Sequence, residues 1–246
     1  MKKIELLNIN ISSGSTKELD SEVRSYLSNS EQRLILNTNI HGMNLSRKHN
    51  WMANFFNSSD VVLCDGTGVL WASKLAGRGI KERISLTDWG WPFAEILEET
   101  GHSVFLLGEP QYVIDKSVKN LKERYPSLKV SGARSGFFDV NGKENSEIID
   151  SINSSGADVL MVGMGMPRQE KWVLDNKEKL NVKLIVTVGA MFRYYSGHYK
   201  RSPFWVSKIG LEWFHRFLKD PVNLFSRYFP GNFTFFFRVI KSRISR

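Results

Sequence analysis

Asp65 is the residue whose position carries the most chemistry. It follows the apolar run Asp60-Val-Val-Leu-Cys64 directly and opens Asp65-Gly-Thr-Gly68. A carboxylate fixed at the end of a buried strand can take a proton from a hydroxyl nucleophile. The same position also suits an N-cap for a helix beginning near Thr67, a common role of aspartate. Spacing leaves both open. Asp88, in Leu86-Thr87-Asp88-Trp89, reads as a second N-cap. Further polar and glycine clusters close other apolar runs: Asn37-Thr38-Asn39, Gly108-Glu109-Pro110, Gly163-Met-Gly165-Met-Pro167-Arg-Gln169-Glu170 and Gly189-Ala190. Glycine lets backbone approach a ligand, and amides at a helix N-terminus favour phosphate. Together the loops predict a phosphorylated ligand. No third glycine completes G-x-G-x-x-G, and there is no G-x-x-x-x-G-K-[ST], so a P-loop ATPase is disfavoured. No Cys/His cluster has zinc spacing and no D-x-D pair occurs, so no metal is expected.

These loops need strands to carry them. Arg33–Asn37, Asp60–Cys64, Ser103–Leu107, Lys129-Val-Ser, Asp158–Val162 and Lys183–Val188 read as short strands. Helical spacing follows over His41–Phe56, from Gly66 onward, over Pro110–Tyr125, near Glu144–Asn153 and from Pro167 to about Lys179. Alternation of this kind implies βα units, hence an α/β, Rossmann-like, mainly parallel sheet with helices on both faces. Ligands of such sheets bind outside the carboxyl ends of the strands, where the clusters fall. After Gly197 the pattern changes. Pro203–Lys219, Pro221–Phe229 and Phe233–Ser242 read as short helices without strands between them. The expected organisation is a body over 1–196 and a C-terminal helical appendage over 197–246.

Charge divides at the same place. The chain has 246 residues and a formal charge of +9. Residues 1–196 hold 24 basic and 23 acidic side chains, whereas 197–246 hold 10 basic ones against only Glu212 and Asp220. The second segment also has 13 of the 30 aromatic residues. Trp205, Trp213, Phe214, Phe217 and Phe225 set between basic residues, Arg216 and Arg227 among them, suit docking on an anionic membrane surface; the alternative is that the aromatics pack on the body and the charges are solvated. Nothing in the chain resembles a nucleic-acid-binding motif. The single cysteine, Cys64, fits a reducing cytosol. The start lacks the apolar stretch of a secretion signal, and no window nears the ~20 apolar residues that span a bilayer.

The loops resemble those of the WecG/TagA/CpsF glycosyltransferases, also called glycosyltransferase family 26. Asp65-Gly-Thr-Gly68 resembles that family's D-G-x-G. Gly163-Met-Gly-Met-Pro-Arg-Gln-Glu-Lys-Trp172 resembles G-x-G-x-P-[KR]-Q-E-x-[WF]. Val188-Gly-Ala, Gly197 and Lys200-Arg-Ser-Pro203 with Trp205, then Leu211-Glu-Trp213 with Arg216, resemble the later blocks, in family order. The resemblance implies transfer of a sugar such as N-acetylmannosamine, N-acetylmannosaminuronate or glucose from a UDP-sugar. The acceptor would be a polyprenyl-diphosphate-linked saccharide of cell-surface polysaccharide biosynthesis, with inversion, without a metal or other cofactor. It implies an enzyme peripheral on the cytoplasmic face of the cell membrane, and leaves open whether it forms a homo-oligomer. It makes Asp65 the general base, Asn39 (with Thr38 beside it) a substrate contact and Gln169 a lining of the sugar or acceptor pocket. Arg83, and with it Arg201, would stand near the diphosphate. Gly108, Gly163, Gly165, Pro167 and Gly189 would shape the binding loops. Three positions depart from the family pattern. Asn37 replaces a threonine, Arg193 replaces an aspartate in Phe192-Arg-Tyr-Tyr-Ser-Gly197, and Arg227 alone remains of an arginine cluster. Those departures motivate the alternative of a non-catalytic UDP-sugar-binding or scaffold protein.

Overall fold

The strand-like runs are apolar at consecutive positions because the sheet is covered on both faces. The computed structural model of the chain describes residues 1–203, 206, 210–219 and 221–244. β3 (Arg33–Thr38), β4 (Val61–Cys64), β5 (Ser103–Gly108), β6 (Lys129–Ser135), β7 (Val159–Gly163) and β8 (Leu184–Thr187) form one sheet in the order β4-β3-β8-β7-β5-β6. All its neighbouring pairs are parallel. Side chains alternate across a strand, so adjacent residues enter different cores. Leu34, Leu36, Val62, Phe105, Leu107 and Leu160 enter one, and Ile35, Val61, Leu63, Val104, Leu106 and Val159 enter the other. The first core is closed by α2 (Ile40–Lys48), α3 (Asn50–Ser58), α4 (Thr67–Leu75), α7 (Lys143–Ser154) and α8 (Arg168–Asn176). The second is closed by α1 (Thr16–Ser28), α5 (Leu86–Thr100), α6 (Gln111–Arg124) and α9 (Met191–Tyr195). The expected α/β class, with a mainly parallel sheet helix-covered on both faces, is the observed one.

The differences have physical causes. The span His41–Phe56, expected as one helix, is two. α2 buries Met43 and Ser46, whereas α3 buries Met52, Phe55 and Phe56. No single 3.6-residue repeat places both sets on one face, and His49, with extended backbone, absorbs the phase slip. An N-terminal hairpin, β1 (Lys2–Leu6) and β2 (Ile9–Ser13), was not anticipated. Leu7 and Asn8 both have positive φ, 49° and 66°. That is the conformation of a two-residue primed turn, whose twist matches the strands. Its Leu6, Ile9 and Ile11 join the first core.

Beyond the body, α10 (Glu212–Lys219) precedes α11 (Pro221–Ile244). Pro221–Phe229 and Phe233–Ser242, expected as two helices, are one, and α11 runs through Pro230 between them. A proline inside a helix costs about 3 kcal/mol, and packing against the body offsets that. Phe235 and Val239 are fully buried in the first core. Asn44 of α2 donates its side-chain N–H to the Gly231 carbonyl at 2.9 Å, just past the proline. Trp205 lies outside the described residues, as do the side chains of Arg216 and Arg227.

Candidate active site

Asp65 is placed by backbone first. β4 pairs with β3 up to Cys64, and the Asp65 N–H continues the ladder to the Thr38 carbonyl at 2.9 Å. The carboxylate therefore stands at the carboxyl edge of the sheet. It does not cap α4, whose N-cap is Gly66 with no side-chain hydrogen bond. Its Oδ1 instead accepts from the Leu86 N–H, at 3.3 Å, in the first turn of α5. Burial pushes the neighbouring Cys64 thiol up to about 12, so that sulfur stays protonated at neutral pH.

Two more loops converge on the same cavity, of about 440 Å³. Asn39 is the N-cap of α2, its Oδ1 accepting from the His41 and Gly42 amides at 3.0 and 3.2 Å. Asn39 also lines the cavity. Arg83 lies in the loop before α5. Its guanidinium donates to Glu212 at 3.1 Å and to Asp88 at 3.3 Å, the former contact tying α10 to the body. Asp88 falls in the first turn of α5, where negative charge is favoured, with Ser85 as the N-cap. Arg201 also pairs with Asp88, and donates to Thr87 Oγ1 at 3.0 Å. The opposite wall is apolar and comes from the C-terminal helices and α4: Trp213, Phe229, Phe233, Phe236 and Trp71. Trp213, expected to dock on a membrane, thus lines the cavity and makes an edge contact with Tyr228, 5.6 Å between centroids.

The other expected residues fall elsewhere along the sheet edge. A Cβ on Gly108 would lie 2.3 Å from the Gly163 carbonyl oxygen, and one on Gly163 would lie 2.7 Å from that of Gly189. Glycine is required there for strand ends to meet. Gly165 and Gly189 have positive φ, 76° and 53°. Pro167 precedes α8 directly. Gln169 is fully buried. Its amide donates to Glu170 at 2.7 Å and its oxygen accepts from the Gly189 N–H at 3.1 Å, joining the loops after β7 and β8. Thr38 is fully buried beside Gly42. Gln169 and Thr38 are not among the cavity-lining residues, and neither is Arg201.

Several contributors escaped the sequence reading. Glu212 entered only as one of two acids of the basic segment and as part of a motif, and His41, Trp71 and Ser85 gave no signal of their own, yet all line the cavity. Glu170 is fully buried, one carboxylate oxygen lacking a hydrogen-bond partner, and burial raises its pKa from 4.5 to about 7. Arg193, where relatives' pattern has aspartate, forms an ion pair at 2.8 Å with the buried Glu109 and donates to Tyr199 Oη at 2.6 Å. Glu109 itself holds a positive φ of 37°. Among the described residues, no group of three His, Cys, Asp or Glu side chains is arranged to hold a metal ion.

A parallel sheet with a carboxylate, an arginine and a capping asparagine gathered outside its strand ends defines an α/β enzyme with a polar site under an apolar roof. The chain belongs to the glycosyl transferase WecG/TagA/CpsF family, whose model matches residues 4–246. It is similar to the N-acetylglucosaminyldiphosphoundecaprenol N-acetyl-beta-D-mannosaminyltransferase of Staphylococcus aureus strain MW2. The two are 24% identical over 220 residues, covering 89% of this chain and 85% of the relative. The protein of the same name from strain NCTC 8325 / PS 47 matches to the same extent, 24% over 220 residues. The chain is accordingly a glycosyltransferase.

Proposed function

We propose that the chain moves a sugar from a UDP-sugar to a polyprenyl-diphosphate-linked saccharide, with inversion and without a metal. The observation that carries this reading is the meeting of Asp65, Arg83 and Asn39, from three loops, in one cavity. The relatives' name supplies the acceptor class and points to N-acetylmannosamine as the sugar.

Inversion needs one in-line displacement. The acceptor hydroxyl attacks the anomeric carbon and its proton passes to the Asp65 carboxylate. The bond to the diphosphate breaks, its electron pair staying on the phosphate oxygen. Charge then grows on the departing diphosphate and must be met by fixed donors. Arg83 carries five N–H groups, and its ion pairs with Glu212 and Asp88 fix the guanidinium plane. The first turn of α4, which no side chain caps, adds backbone amides. Asn39 offers its amide nitrogen to a substrate oxygen. The aromatic wall suits the first isoprene units of the acceptor.

The basic, aromatic segment 197–246 is, in this reading, the appendage that keeps the enzyme on the anionic cytoplasmic face of the membrane. No described helix is long and apolar enough to cross a membrane. The test is UDP release on a lipid-linked acceptor. Asp65→Asn should keep UDP binding and lose about 10²–10⁴ in turnover, the usual contribution of a general base. Turnover near that of the wild type would refute the assignment.

A further inference from the structure

A second cavity, of about 700 Å³, borders α11 and is lined also by the N-terminal hairpin and the end of α2. Arg47 and Arg78 of the body and Arg238, Lys241 and Arg243 of α11 line it, against the single carboxylate of Glu5. Among the described residues, none of these five cations is in an ion pair. Arg238 and Arg243 are held by neutral oxygens. Arg238 donates to Asn44 Oδ1 and, at 3.3 Å, to the Thr234 carbonyl, and Arg243 donates to the Leu75 carbonyl at 2.9 Å. Burial, with the like charge of Arg47 close by, holds the Arg238 guanidinium below its usual pKa. Cations collected in a recess without matching acids raise the local potential, and a bound anion relieves it.

The neighbouring face of α11 says what kind of anion. Phe233, Phe237, Ile240 and Ile244 succeed one another at steps of four, three and four residues, and are 74%, 69%, 45% and 79% exposed. At 100° per residue they project away from Phe235 and Val239, the side chains that α11 buries. Arg238 and Lys241 occupy the flank between this stripe and the recess. On the other flank Phe229 and Phe236, joined by Phe233 of the stripe itself, line the Asp65 cavity. An apolar ridge beside a cationic recess complements a lipid, with acyl chains under the one and a phosphate in the other.

We propose that the recess binds the headgroup phosphate of an anionic membrane lipid while the α11 stripe seats among the acyl chains. Anchoring at this point fixes how high the Asp65 cavity sits above the leaflet, so that a membrane-borne acceptor meets the base without leaving the bilayer. The inference rests on the reading of the chain as a membrane-surface enzyme, and the two fail separately. Loss of the Asp65 assignment leaves sedimentation with vesicles unchanged.

The test is co-sedimentation of the full chain with phosphatidylcholine vesicles, with and without a third phosphatidylglycerol. Arg47→Ala/Arg78→Ala removes two recess cations and leaves α11 and the Asp65 cavity intact. Affinity for the anionic vesicles should fall about thirtyfold, roughly fivefold for each cation. Lys119→Ala/Lys122→Ala on α6, packed against the other face of the sheet, should change it less than twofold. The far-UV circular dichroism of the first double variant, and its UDP release on a short-chain soluble acceptor, should match the wild type. Equal losses in the two double variants would reduce the effect to net charge and overturn the site. So would anionic-vesicle binding that survives Arg47→Ala/Arg78→Ala. A wild type stabilised by inorganic phosphate, yet sedimenting equally with both vesicle types, would mark a free-phosphate site and overturn the lipid assignment.

Discussion

Glu170 makes the stability of this fold depend on pH in an unusual direction. Its carboxyl is fully buried, one oxygen takes the Gln169 amide at 2.7 Å and the other has no hydrogen-bond partner. Burial therefore raises its pKa from 4.5 to about 7, against the smaller opposing effect of Gln169. Below pH 4.5 the carboxyl is protonated in both folded and unfolded chains and contributes no pH dependence. Between pH 4.5 and 7 the unfolded chain loses this proton and the folded chain keeps it, so folding weakens as pH rises. Above pH 7 the loss is complete. A difference of that size amounts to about 3 kcal/mol. Glu170→Gln keeps an oxygen for the Gln169 amide and cannot ionise. Urea unfolding from pH 4 to 8.5 should therefore give two curves that separate, with the variant gaining about 3 kcal/mol on the wild type between pH 4.5 and 7.5. The gap should be flat on either side of that window. Parallel curves would show that the site is hydrated or that its charge is met, and would refute the reasoning.

Other expectations follow from the same contacts. Glu212→Gln removes the charge that ties α10 to Arg83, so UDP release should slow roughly tenfold, the scale of one charge-assisted hydrogen bond. Phe235→Ala opens a cavity where α11 meets the body and should cost about 3–5 kcal/mol. Hydrogen exchange should rise along α11 before the sheet amides respond. Turnover should be unchanged after dialysis against EDTA, and recovery only on adding back a divalent cation would contradict the proposed metal-independent displacement. Asp65→Asn, measured by UDP release, tests the proposed base itself.

The body was legible in the sequence because its strands are short, apolar and closed by glycine or polar residues. Val61–Cys64 followed by Asp65-Gly is such a unit, and its helix begins where the glycines imply. What the sequence concealed depended on contacts between distant residues. The phase slip at His49 shows only when the surfaces under α2 and α3 are known. Pro230 looks like a stop until Asn44 and the buried Phe235 are seen to hold α11 on both sides of it. In the site, Asp65 and Asn39 stood out because each follows a strand directly. Glu212 did not, since its meaning lies in Arg83, 129 residues away. The glycines at 108 and 163 suggested room for a ligand, whereas a Cβ there would strike neighbouring backbone.

Trp71 apart, the aromatic wall of the Asp65 cavity comes from the final stretch of the chain, while Asp65, Arg83 and Asn39 all lie within its first 83 residues. During synthesis those polar groups exist long before the chamber that would hold a sugar donor away from water. A nascent or clipped chain would therefore carry the proposed reactive residues in an open notch, and the seating of α11 would turn that notch into a pocket. Under the proposed function, activity is tied to the last helix, and a chain cut before residue 221 would lose Phe229, Phe233 and Phe236 from the cavity together with the buried Phe235 and Val239 from the core.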